Sequence, residues 1–211
     1  MIHLPHPQGG ADWINARLGI ATASQFHRII TPKTAKPAAA AEKYLHQLCA
    51  EWAIGQPIAE YEDVQDFMQR GTDMEKEAVA WYELQRETDT TVAGFCLTDD
   101  RRAGCSPDRL VGEDGGLEIK CPSAAVHVGY LLGQDPDAYR AQVQGALWIT
   151  GRAWWDRLSY HPTMPSVLIR QERDEEFIAR LAALVSEFCE RLEAAKARMR
   201  GLGCAPAIEA T

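Results

Sequence analysis

The sequence predicts an α/β fold, a mixed central β-sheet flanked by helices, and three observations carry that prediction. The chain opens with helical patterns. From Thr90 it changes to short β-branched and aromatic runs broken by turn residues. It then closes in the order helix, strand, strand, helix. At 211 residues it suffices for one well-buried domain, expected over residues 1–200, with 201–211 as a flexible tail.

Each element has its own signal. Residues 12–30 read as short helices, with Thr22 or Ser24 able to cap the second. "TPKTAKP" (31–37) is the first clear loop. Residues 38–54 and roughly 64–88 read as helices, the latter with apolar surface on Val79, Tyr82 and Leu84 among others. "TTVAGFCL" (90–97) reads as a strand and Asp99–Arg102 as a turn. Residues 105–121 read as two short strands around a tip at Glu113–Gly116. Residues 136–150 return to helix with Pro136 in the first turn. "AWWDRLSYH" and "SVLIRQE" read as strands separated by "PTMP". From Asp174 onward Phe177, Leu181, Leu184, Phe188 and Leu192 mark an amphipathic helix, and the acidic "DEE" suits its N-terminus.

Composition narrows the class. Hydrophobic content of 46% and charged content of 25% are those of an ordinary globular protein. No apolar run approaches the ~20 residues of a membrane helix. "MIHLPHPQGGADW" lacks the basic-then-apolar order of a secretory signal, so a cytoplasmic location is expected. The six cysteines contain no C-x-x-C pair, which argues against a zinc ribbon or a small disulfide framework. A net charge of −8 argues against a freely exposed nucleic-acid face. Any such function needs its basic residues gathered in a groove or channel.

The stretch "CSPDRLVGEDGGLEIKC" (105–121) carries the candidate chemistry. Side chains alternate along a strand, so Glu118 and Lys120 share a face and Ile119 points away. A hairpin turning at Glu113–Asp114 sets residue 108 across from residue 118 or 119. Asp108 and Glu118 can then share one cation. Two carboxylates joined by a backbone carbonyl, that of Ile119, and by waters suit Mg²⁺. Lys120 beside them can orient or activate a water. The same residues also read as a solvated hairpin with an exposed ion pair of little energetic weight. Residue types alone leave both readings standing.

The surrounding blocks break the tie. "SPD", eight residues, then "LEIKCP" resembles the PD-(D/E)XK nuclease signature in the form carried by phage lambda-type exonucleases and YqaJ-like viral recombinases. "W-x3-RLGIATAS" (13–24), "RGTDMEKEA" (70–78), "YRAQVQGALWITGRAWWDRLSYHP" (139–162) and "RDEEFIARL" (173–181) resemble further blocks of that family, in its order.

The resemblance implies a PD-(D/E)XK nuclease-like core and a set of roles. Asp108 and Glu118 would bind metal, Lys120 would position or activate the attacking water, and Glu75 would support a second metal directly or through water. Arg17, Ser24 and Ser106 would form a pocket for the 5′-phosphate of a DNA end. One of Gln142 and Gln144 would face the site, with Gln144 favoured. Tyr139, Trp148, Trp154 and Trp155 are expected in the core rather than stacked on bases. His27, His127 and His161 are expected to be structural.

The implied activity is a Mg²⁺-dependent 5′→3′ exonuclease on double-stranded DNA ends. Two ions are expected and Mn²⁺ is a plausible substitute. The products would be 5′-mononucleotides and 3′ overhangs. The implied assembly is a homotrimeric ring, and the implied partner a phage-type single-strand annealing protein. Two alternatives remain: a structure- or site-specific endonuclease on the same core, and a non-catalytic DNA-end-binding module.

Overall fold

The computed structural model describes residues 1–58, 64–134 and 138–207. Nine strands form two sheets, ordered β1-β4-β5-β2 and β3-β6-β7-β8-β9 among the described residues. The strands are β1 (Ile2–Leu4), β2 (Ala21–Thr22), β3 (Thr90–Thr91), β4 (Phe95–Leu97), β5 (Ala103–Cys105), β6 (Arg109–Val111), β7 (Gly115–Lys120), β8 (Trp154–Ser159) and β9 (Val167–Glu172). The helices are α1 (Ala11–Arg17), α2 (Ala41–Ile54), α3 (Val64–Arg86), α4 (Ala124–Leu131), α5 (Ala138–Thr150) and α6 (Glu175–Gly201), with a 3₁₀ turn at Ala23–Arg28. The five-stranded sheet is mixed: β7 and β8 run parallel while its other pairs are antiparallel. Among the described residues no helix is long and apolar enough to cross a membrane.

The predicted α/β architecture stands, with local corrections. "TTVAGFCL" divides into two strands in different sheets, β3 pairing with β6 and β4 with β1 and β5. Gly94 turns the chain between them at φ +64°, and a Cβ there would lie 2.3 Å from the Leu4 carbonyl oxygen. Only glycine combines that conformation with that approach. Helix α4 and strand β1 had no signal in the reading above. Thr22 takes the N-cap position of the 3₁₀ turn, but its side chain makes no cap hydrogen bond. Leu84 is exposed, because α3 turns Ala78, Val79 and Tyr82 to the sheet instead. Pro136 and the Phe67 side chain lie outside the described residues. Helix α6 begins as expected: Asp174 accepts from the Phe177 N–H at 3.0 Å.

Each face of the five-stranded sheet meets a helix. On one side Leu117, Ile119 and Leu158 pack under α3. On the other, Trp155 joins the core of α2, α5, α6 and the 3₁₀ turn. Two glycines open β7 because β8 sets indoles against them. A Cβ on Gly115 would lie 2.2 Å from the Trp154 ring, and one on Gly116 2.3 Å from that of Trp155. The β6–β7 tip is exposed at Gly112–Asp114, while Gly115 and Gly116, read from the sequence as part of the tip, are buried in β7. It is tied down by Arg152, whose Nη1 donates to the carbonyls of Gly112 at 2.9 Å and Gly115 at 2.6 Å.

Candidate active site

The alternation of β7 divides its side chains as the sequence requires. Glu118 and Lys120 project together toward α5, and Lys120 Nζ donates to Glu118 Oε1 at 2.6 Å. The register Arg109↔Leu117 places Asp108 just beyond the end of β6, level with Glu118. Asp108 Oδ2 accepts the Ile119 N–H at 2.6 Å. The N–H and C=O of one strand residue point to the same edge, so the Ile119 carbonyl also faces the Asp108 flank. By contrast, the Lys120 carbonyl faces β8 and accepts from the Tyr160 N–H at 2.9 Å.

These groups are strongly coupled. Burial, and then the charge of Glu118, push the Asp108 carboxyl well above its usual range, while Lys120 and the Ile119 N–H pull it back. Burial disfavours the Lys120 ammonium, but Glu118 and Asp108 outweigh it and raise that pKa. A divalent cation between the carboxylates would relieve their repulsion, so the donor set of Asp108, Glu118 and the Ile119 carbonyl fits one. Glu75, half-buried on α3, pushes the Asp108 carboxyl up further as a smaller influence. Among the described residues no three His, Cys, Asp or Glu side chains gather into a metal-holding group.

The two glutamines of α5 separate. Gln142 Nε2 donates to Glu118 Oε1 at 2.6 Å. Gln144 is buried, donates to the Glu172 carbonyl at 2.8 Å and accepts the Asp174 N–H at 2.9 Å. The preference for Gln144 is thus corrected. Residues two apart on a helix point to different sides, and here the other residue faces the carboxylates.

A cleft of about 200 Å³ joins this cluster to the N-terminal block, with Arg17, Ser24, Ser106, Asp108, Glu118, Lys120 and Gln142 in its walls. Arg17 donates to Ser106 Oγ at 2.6 Å, and Trp13 Nε1 donates to the same oxygen at 3.0 Å. The Arg17 guanidinium lies 4.2 Å from the Trp13 ring centroid. Burial lowers its pKa, against the pull of Tyr44, Cys105 and Glu51. Ser24 Oγ sits 3.4 Å from Thr22 Oγ1. One wall of the cleft therefore presents a fixed guanidinium and hydroxyls, and the other a carboxylate pair with a lysine.

The chain matches the YqaJ-like viral recombinase domain over residues 12–153. It belongs to that family. The YqaJ-like chain is also similar to the alkaline exonuclease LHK-Exo from Laribacter hongkongensis, with 31% identity, a TM-score of 0.80 and coverage of 92% of this chain and 98% of that one. The same enzyme solved in complex with dAMP gives 32% identity and a TM-score of 0.81 over 92% and 98%. A phage-related exonuclease from Haemophilus somnus 129PT shares the fold, with 15% identity and a TM-score of 0.69 over 85% and 96%. Among curated protein sequences none matches.

Several participants had no separate signal in the sequence reading. Trp13 opens the matching N-terminal block, yet its indole contact with Ser106 and Arg17 needs β5 and α1 to meet. Tyr139 was expected in the core. It is half-buried, with Lys120 Nζ 5.3 Å and Arg157 Cζ 5.0 Å from its ring centroid. Trp155 and His127 are core residues as expected, His127 bonding Ser159 Oγ and the Pro165 carbonyl.

Proposed function

We propose that this YqaJ-like protein is a phage-type DNA exonuclease that degrades double-stranded ends in the 5′→3′ direction with Mg²⁺, or Mn²⁺ in its place. The observation that carries the reading is the single cleft in which Asp108, Glu118 and Lys120 face Arg17 and Ser106. Family membership and the likeness to an alkaline exonuclease support it.

The chain's residues divide the work. Arg17 and Ser106, with Ser24, would hold a terminal 5′-phosphate; the guanidinium fork pairs with phosphate oxygens. Asp108, Glu118 and the Ile119 carbonyl would hold a metal ion, with Glu75 supporting a second directly or through water. A bound divalent cation would supply a more acidic water and neutralise charge growing on the scissile phosphate. Lys120 and Gln142 both donate to Glu118 Oε1, while Oε2 takes neither bond. Likewise the Ile119 N–H holds Oδ2 of Asp108 rather than Oδ1. One oxygen of each carboxylate is thus fixed by the protein, and the other can turn to a ligand. Lys120, with its ammonium held at the carboxylates, would orient the attacking water.

The products would be 5′-mononucleotides and a 3′ overhang, the substrate of a phage-type single-strand annealing protein. A homotrimeric ring would reconcile duplex binding with the net charge of −8, because basic residues lining a channel are tripled by symmetry while the exterior stays acidic.

The test uses a linear duplex labelled at one end, with and without a 5′-phosphate, beside a closed circle. With Mg²⁺ the linear duplex should lose nucleotides from 5′ ends and the circle should persist. EDTA should stop the reaction. Degradation of the circle would favour an endonuclease instead. Binding of ends with no cleavage under any divalent cation would leave only an end-binding module.

A further inference from the structure

We propose that Tyr139 is a positioning residue whose aromatic ring holds the Lys120 ammonium on Glu118. The inference rests on the role given to Lys120 above, and it adds a residue that touches neither carboxylate.

Two cations lie against the Tyr139 ring. Lys120 Nζ lies 5.3 Å and Arg157 Cζ 5.0 Å from its centroid. The two cations come from adjacent parallel strands, where Glu118 pairs with Arg157 and Lys120 with Ser159. Lys120 and Arg157 therefore project from the same face of the sheet, toward α5, which carries Tyr139 near its start.

A phenol ring suits this place for a physical reason. Its π face attracts cations without competing for the carboxylate, as an acidic side chain would. A lysine stem is flexible and loses considerable rotamer freedom when its ammonium is fixed. A rigid ring beside the ammonium removes part of that freedom before substrate arrives, the sense in which a supporting residue preorganises a reacting one. Lys120 keeps 28% of its side-chain surface exposed, so other orientations are open to it unless a wall closes them. Tyr139 supplies a wall beside the ammonium.

Stacking on a DNA base is the competing use of the ring, and the kinetics separate the two. The experiment compares the wild-type chain with Tyr139→Phe and Tyr139→Leu on a 5′-phosphorylated linear duplex in Mg²⁺, measuring kcat, KM for ends and Tm. Tyr139→Phe keeps the ring and should stay within about twofold of wild type. Tyr139→Leu should lower kcat about 2- to 30-fold, the range that loss of a cation–π contact allows, with KM unchanged. In parallel, NMR of the wild-type chain should show Lys120 Hε protons shifted upfield by the ring. That shift should persist in Tyr139→Phe and vanish in Tyr139→Leu.

Full turnover in Tyr139→Leu overturns the inference and leaves the functional reading intact. So does a raised KM with normal kcat, which assigns the ring to DNA, or an equal loss in Tyr139→Phe. If Tyr139→Leu fails to fold, the wild-type spectrum decides: no ring shift at Lys120 overturns the proposal. A wild-type protein that leaves linear duplex intact removes the functional reading, and the catalytic meaning of the inference with it.

Discussion

Gln142 and Gln144 lie two residues apart on α5, and removing each amide should have opposite consequences. Gln142→Ala takes away one donor from Glu118 Oε1, a bond of 2.6 Å to an ionised acceptor. Hydrogen bonds to charged groups contribute about 1.5–3 kcal/mol. If that strength orients Glu118 for the reaction, kcat per folded molecule should fall about 10- to 100-fold. Gln144→Ala instead removes a buried amide that partners the part-buried Glu172 carbonyl and Asp174 N–H, held at 2.8 and 2.9 Å. An unsatisfied group costs about 1–3 kcal/mol when fully buried and less when part-buried, so the pair should cost about 2–5 kcal/mol. A domain of this size loses about 2–4 °C of Tm per kcal/mol, which predicts a drop of about 4–20 °C. Residual folded Gln144→Ala should turn over at nearly the wild-type rate per molecule. Thermal denaturation and nuclease kinetics on both variants make the comparison. The reverse pattern, Gln142→Ala unstable but active and Gln144→Ala stable but inactive, would refute the placement of α5.

Three further outcomes follow from other contacts. Asp156 is fully buried, accepts from Tyr82, Arg86 and Arg170, and has its pKa lowered by those partners against the opposing effect of burial. A depressed folded pKa stabilises the fold above the ordinary aspartate value of about 3.9 and loses that contribution as pH falls through the folded value. Asp156→Ala should therefore destabilise by about 3–5 kcal/mol at pH 7, and the gap in Tm from wild type should narrow in acid. Gly116→Ala should lower stability by about 1–3 kcal/mol, since its Cβ would meet the fully buried Trp155 ring at 2.3 Å; an unchanged denaturant midpoint would contradict the packing. Arg17→Lys keeps the charge but loses the guanidinium fork that meets Ser106 at 2.6 Å, so preference for 5′-phosphorylated over 5′-hydroxyl ends should fall about tenfold or more, read from initial rates on the two substrates.

Much of the site was legible in linear order because it depends on local periodicity. A period of two places Glu118 and Lys120 on one face whatever the strand packs against. The turn at Gly112–Asp114, within one residue of the turn expected at Glu113–Asp114, sets a hairpin register that brings residue 108 level with residue 118. The α6 cap at Asp174 is equally local. What was not legible depends on how elements rotate and meet. Leu84 belongs to the apolar pattern of α3, yet the sheet meets the helix at Ala78, Val79 and Tyr82.

The two glutamines show the same divide most clearly. Their spacing says that they face different ways, but not which way is inward. That is decided where α5 crosses the 3₁₀ turn: a Cβ at Gly145 would stand 2.5 Å from the Phe26 ring, so this contact sets the rotation of the helix about its axis. The rotation turns Gln142 to Glu118 and Gln144 to the β9–α6 junction. It also carries Tyr139 on α5 to Lys120 on β7 and Arg157 on β8. Order along the chain was enough to assemble the paired carboxylates and the lysine. Their supporting partners came from close packing between distant segments, which no local pattern encodes.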